Sequence, residues 1–217
     1  MTTPFVLHCL AWVCEEIDLD PPPMNKPPDI VFLDFEASSL SKNSYPIEVG
    51  WVFASGREES HLIRPAPAWT DWSEESEATH HLTRERLFAE GRPHDEVAKR
   101  MLEVLSGHAL FATAPSWDGQ WLSKLLRSAS LPRHVLRVQD TDVAHEEAIA
   151  RILQEAGMSE SEIAVRAKEI LGRARLEDEA EGDPDHRALA DAKRELRLWR
   201  NVQERAENYV RGHKSRI

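Results

Sequence analysis

The chain has 217 residues, 41% of them hydrophobic and 30% charged, with a formal net charge of −11. That length suits one substantial domain with its own core, and the acidic balance argues against general coating of duplex nucleic acid, which runs on Lys and Arg. Two cysteines, Cys9 and Cys14, exclude a disulfide framework, and no second Cys/His pair with zinc spacing accompanies them.

The first apolar stretch, "PFVLHCLAWVC", is about ten residues long and too short to span a bilayer. It lacks the Lys/Arg flank of a signal peptide and runs straight into Glu15 and Glu16. The expectation is a cytoplasmic protein with no membrane partner. The next stretch, "DLDPPPMNKPPD", carries five prolines and reads as an extended linker, so residues 1–28 are set apart from the domain that follows.

"IVFLDFE" (30–36) is a nearly continuous apolar run, the pattern of a strand buried on both faces. "PIEVGWVFA" (46–54) alternates, and "ESHLIRP" (59–65) is a third strand stopped by proline; their close spacing predicts an antiparallel meander. "TRERLFAEG" and "PHDEVAKRMLEVLSG" then show helical periodicity, with Val97, Met101, Leu102 and Leu105 in one stripe. "HALFATA" (108–114) and "HVLRVQD" (134–140) are further strands, separated by a helix over "DGQWLSKLLRSA" (118–129). Residues 142–174 are helical, "EDEAEGDPD" (177–185) is an acidic loop, and 186–210 form a long last helix before a basic tail. The sum is an α/β domain with a mixed five-stranded sheet, a meander joined to parallel strands and flanked by helices.

The carboxylates carry the chemistry. Side chains two apart on a strand share a face, roughly 6.6 Å apart at Cα, so Asp34 and Glu36 point together while Phe35 points away. Burying two unpaired carboxylates is costly, and a shared hard divalent cation relieves the cost. Asp118 follows a strand and opens a helix, which fits a helix N-cap or a third carboxylate delivered to the same site. His186 and Asp191 lie five apart, about 140° on an ideal helix. They converge only if His186 sits in the loop ahead of the helix, where it is placed to act as a general base.

D-x-E in a buried strand, an Asp at a strand–helix junction and H-x4-D opening the last helix together resemble the motifs of the DEDDh 3′–5′ exonucleases. That family belongs to the ribonuclease H-like superfamily with proofreading subunits, ribonuclease T and oligoribonuclease. The resemblance runs over about residues 29–205, and includes "YPIEVGWV", "ATHHLTRERL" and "HRALADA". It implies a ribonuclease H-like fold, with Asp34, Glu36, Asp118 and Asp191 binding two divalent ions, Mg²⁺ or Mn²⁺, and His186 as general base. It implies hydrolysis of single-stranded DNA or RNA from the 3′ end, releasing nucleoside 5′-monophosphates. By the same analogy the backbone at Ala37 and Ser38 meets the 3′-terminal residue, Leu40 is an apolar wedge, Trp117 lines the pocket, and Phe35 either borders the substrate or packs in the core. A homodimer, or a polymerase partnered by a proofreading subunit, is the company the family suggests; a nuclease fold that binds without cutting is the alternative. Two departures stand out. His81 replaces the usual glycine after His80, and "SSLSKN" replaces the common Thr-Gly continuation of the first motif.

Overall fold

The computed structural model describes residues 28–180, 182 and 185–214. Residues 1–27, all but the last of the appendage and linker expected over 1–28, lie outside these. Three antiparallel strands come first: β1 (Ile30–Ala37), β2 (Pro46–Phe53) and β3 (Glu58–Arg64). Two short helices, α1 (Glu74–His80) and α2 (Arg84–Glu90), lead to a two-residue strand, β4 (Arg92–Pro93). Then follow α3 (His94–Leu105), β5 (Ala109–Ala112), α4 (Pro115–Ser128), β6 (Val138–Asp140), α5 (Thr141–Glu155), α6 (Glu160–Ala180) and α7 (Ala188–Lys214). The sheet order is β4-β3-β2-β1-β5-β6, with β5 and β6 parallel to β1.

The architecture is therefore the expected mixed sheet flanked by helices, with six strands in place of five. The extra one, β4, pairs with β3 at the edge. Its Pro93 has no N–H to offer a neighbour, which suits an edge position, and two residues are too few to show a strand period. Helix α1 also lies where no helix was expected. The 142–174 helix is two helices, broken where Gly157 takes φ +85°, a left-handed conformation that glycine adopts without strain. Helix α6 restarts at a capping pair in which Glu162 accepts from the Ser159 N–H at 3.0 Å. It then continues through Ala180, taking up the first four residues of the presumed acidic loop. Helix α7 likewise runs on to Lys214, so residues 211–214 of the presumed tail are helical. Among the described residues no helix is long and apolar enough to cross a membrane.

The strand period explains how β1 serves two cores. Val31, Leu33 and Phe35 face the main core, built with Val49 and Trp51 of β2, Met101 of α3 and Leu125 of α4. Phe32 faces the other way, packing with Val52, Phe111, Ala144, Ala192 and Leu196 under α5 and α7. Asp34 and Glu36 continue this second face. Each buried core residue removes apolar surface worth about 1.5–3 kcal/mol for a large side chain, and this anchors a face whose last two positions are acids. Helices α5, α6 and α7 share a third cluster around Ile149, Leu171 and Val202.

Candidate active site

Helix α7 reaches Asp34 and Glu36 because β2 makes room for it. Asp34 pairs with Gly50 and Glu36 with Glu48 across the β1–β2 ladder, so all four lie on one face. A Cβ at Gly50 would stand 2.3 Å from the backbone N of Leu189, so only glycine lets α7 come this close. Glu48, 2% exposed, accepts from Arg187 at 2.6 and 3.0 Å and from the Ala188 N–H at 3.2 Å. That carboxylate satisfies one of the free N–H groups at the start of α7 and complements the helix dipole. The first turn of α7 then sets Asp191 over the sheet.

The result is convergence. One carboxylate oxygen each from Asp34, Glu36 and Asp191 lies within 4.8 Å of the other two. Asp118 arrives from the other side of the sheet. Helix α4 opens at Pro115, with proline in its first turn, so Asp118 lies inside that turn and Ala114 is the cap residue. The N-cap reading of Asp118 is thereby corrected. Asp118 is 1% exposed, its carboxylate is held by backbone groups of Ala114 and Phe35, and its Oδ2 has no hydrogen-bond partner. All four acids gather at the carboxyl ends of the parallel strands β1 and β5, where open α/β sheets place their ligands.

The electrostatics follow from this crowding. Burial raises the Asp34 carboxyl well above its usual range, and the charges of Asp118, Glu36, Asp191 and Glu195 raise it further. Glu36 is pushed up to about 8, by burial first and then by Asp191 and Glu48. Burial takes Asp118 to about 7 against its backbone hydrogen bonds. Asp191 is raised by burial and eased by the neighbouring His186. Four carboxylates that resist ionising together, one with an orphaned buried oxygen, are a donor set that hard divalent cations fit.

His186 lies two residues before α7, in the loop, with φ +50°. It lines the cleft of about 510 Å³ that holds the four acids, and also a groove of about 400 Å³ over α1. Leu40, 71% exposed, borders both. Trp117 lines the acidic cleft and stacks on Trp121 with centroids 5.6 Å apart. Phe35 is buried in the main core and borders the cleft. Ala37 borders the α1 groove. Ser38 turns inward instead: its N–H donates to the Tyr45 carbonyl, its own carbonyl accepts from the Ser73 N–H, and its hydroxyl donates to Asp71. His81, in the place of the usual glycine, ends α1 with φ +57°, the left-handed conformation glycine would adopt freely.

Other cleft residues escaped the sequence reading. Glu195 lies one helical turn beyond Asp191, a spacing that puts both on one face of α7. Burial raises its carboxyl, and His145 Nε2, fully buried and stacked on Phe32, is 3.7 Å from it. Arg194 lines the same cleft and is bonded at 2.7 Å to Asp178 at the end of α6. The i+4 spacing of Glu195 was visible in the sequence; the Asp178 contact was not, because the 177–185 stretch reads as a loop.

Neither a protein-family model nor a curated protein matches the chain. Solved structures do. The chain is similar to the zinc-bound form of E. coli exonuclease I in complex with single-stranded DNA, with TM-score 0.60 and 15% identity over 83% of this chain and 41% of that one. It is similar to E. coli exonuclease I bound to a dA16 oligonucleotide, with TM-score 0.57 and 15% identity over 84% and 42% of the two chains. A product-bound exonuclease I gives TM-score 0.57 and 14% identity over 85% and 46%. What is shared is the fold. It is the ribonuclease H-like fold of the exonucleases, and the chain spans less than half the length of the exonuclease I chains it matches.

Proposed function

We propose that the protein is a metal-dependent 3′–5′ exonuclease of the DEDDh type, acting on single-stranded nucleic acid and releasing nucleoside 5′-monophosphates. The observation that carries this reading is the meeting of Asp34, Glu36 and Asp191 within 4.8 Å, with buried Asp118 lining the same cleft. The fold shared with exonuclease I, whose solved complexes contain single-stranded DNA, supports the choice of substrate.

Asp34, Glu36, Asp118 and Asp191 would hold two cations, Mg²⁺ or Mn²⁺ by the hardness of an all-carboxylate set. Such a pair, when bound, stabilises the attacking and leaving oxygens of an in-line phosphoryl displacement. The chain's own groups do the rest. His186, at the lip of the cleft, takes the proton of the attacking water. Trp117, backed by Trp121, offers a flat apolar face to a base, and Leu40, which lines the same cleft, is the wedge. The Ala37 backbone is the part of the first-motif loop offered to the terminal residue.

Purified protein with Mg²⁺ or Mn²⁺ is expected to shorten a 5′-labelled oligonucleotide progressively from its 3′ end, and matched DNA and RNA strands rank its preference. Asp34→Ala and Asp191→Ala abolish the ladder. Activity that survives Asp34→Ala overturns the assignment. A module that binds without cutting takes up Mn²⁺ poorly in calorimetry and leaves the strand intact.

A further inference from the structure

The loop after the first motif, "SSLSKN", is held by a device with a defined polarity. Ser38 Oγ accepts from the Tyr45 N–H at 3.1 Å, Ser39 Oγ from the Ser41 N–H at 3.0 Å, and Ser41 Oγ from the Asn43 N–H at 3.0 Å. A backbone N–H can only donate, so each hydroxyl is left with its own proton to place elsewhere. All three go to one carboxylate. Ser38 and Ser39 donate to Asp71 Oδ2 at 3.0 and 2.5 Å, and Ser41 donates to Asp71 Oδ1 at 2.8 Å.

The far end of the loop is tied as well. Lys124 Nζ donates to the carbonyls of Asn43 and Ser44 at 2.5 and 2.6 Å, and Trp121 Nε1 donates to Ser44 Oγ at 2.9 Å. Burial pushes the Asp71 carboxyl up, yet the three serine bonds outweigh it and hold the group below its usual range. It is therefore an anion at neutral pH, as three incoming protons require. Between these ties a single apolar side chain, Leu40, stands out into solvent at the border of the acidic cleft and the α1 groove. Immobilising an exposed leucine this thoroughly has no return in core packing. It has one if the leucine must meet a ligand in a fixed place.

We propose that Asp71 is a positioning residue for substrate: through Ser38, Ser39 and Ser41 it fixes the loop so that Leu40 meets the end of a single-stranded nucleic acid. The proposal rests on the functional reading above. An unpaired strand is the fitting occupant because its bases can be parted by an inserted side chain, whereas a duplex end must first be unstacked.

The test is the affinity of the full chain for a fluorescent single-stranded oligonucleotide by anisotropy, beside its Mn²⁺ affinity by calorimetry. Asp71→Ala should weaken oligonucleotide binding about tenfold, the scale of one lost base contact, and leave Mn²⁺ affinity unchanged. Asp71→Asn, which keeps an acceptor for Ser38 and Ser39 but none for Ser41, should fall between. Leu40→Ala, at an exposed site that cannot unfold the protein, should match Asp71→Ala, and the double variant should be no weaker than Leu40→Ala alone. Additive losses, equal losses of Mn²⁺ affinity, or wild-type affinity in Asp71→Ala each overturn the proposal. Wild-type protein that binds the strand without shortening it breaks the exonuclease reading and leaves this one standing. If it shortens the strand while Asp71→Ala binds normally, only this one fails. Wild-type protein that binds no oligonucleotide refutes both.

Discussion

Glu48 on β2 and Arg187 at the entry to α7 are joined by two hydrogen bonds, 2.6 and 3.0 Å long, across 139 residues of sequence. The same carboxylate takes the first N–H of α7, so one buried group decides where the helix carrying Asp191 begins.

Glu48→Ala should therefore cost stability and metal affinity together. Arg187 is partly exposed and can turn to water, so the loss falls short of a fully buried broken pair, at about 2–3 kcal/mol in urea unfolding. Residues that orient ligands from behind typically matter 10–100-fold for metal binding, and calorimetry with Mn²⁺ should show a loss on that order. Unchanged Mn²⁺ affinity would mean that α7 keeps its register without Glu48.

Two glycines predict opposite outcomes for the same substitution. Gly50→Ala puts a methyl 2.3 Å from the Leu189 N and 2.4 Å from its Cα, backbone atoms that move only if α7 does. The expected cost is about 3 kcal/mol, near the top of the overpacking range, with loss of metal binding. Gly119→Ala, in α4 with nothing within 4 Å of the new Cβ, should gain about 0.5–1 kcal/mol from helix propensity. Thermal melts of the two variants decide it.

These pairings show what the sequence could and could not tell. Asp34 and Glu36 were legible because a strand's period of two is local, and an apolar run interrupted by acids on one side of that period is readable in seven residues. His186 and Asp191 were legible for the same kind of reason, since a helix period forbids their meeting unless the helix starts between them. Glu48 looked like an ordinary polar residue in an alternating strand, and its partner is far along the chain. Asp71 was equally silent, for its bonds cross to a loop some 30 residues earlier. Helix α6 was misjudged because "EDEA" is acidic like a loop, yet packing of Leu171 and Ala174 against α7 carries the helix to Ala180.

The acids set a pH dependence whose sign is fixed. Glu36 titrates near 8 and Asp118 near 7 in the folded chain, against ordinary values of 4.5 and 3.8. Between the ordinary and the raised values the folded state holds protons that the unfolded chain has released. Unfolding free energy then falls as pH rises. Chelator-treated protein should be most stable near about pH 5 and weaken progressively to about pH 9. Saturating Mn²⁺ should flatten or reverse that slope, because cations favour the ionised acids, and add about 2.7 kcal/mol at a hundredfold excess over the dissociation constant. Urea midpoints across this range, with and without Mn²⁺, make the comparison; a chelated protein that gains stability toward high pH would contradict the buried acidic cluster.

His186 tests whether the loop contributes an imidazole or only a backbone shape. Its φ of +50° is left-handed, a conformation that Asn tolerates better than most side chains and Ala does not. His186→Ala changes both the base and the ease of that backbone, whereas His186→Asn removes the base and keeps the backbone comfortable. If the imidazole takes the proton, both variants lose about 10²–10⁴-fold in kcat. Both should bind Mn²⁺ almost as wild type, since the four carboxylates remain. If the loop's shape alone matters, His186→Asn retains most of the activity and His186→Ala does not. Single-turnover shortening of a 5′-labelled oligonucleotide at saturating Mn²⁺ separates the two cases, because it reads the bond-breaking step without product release.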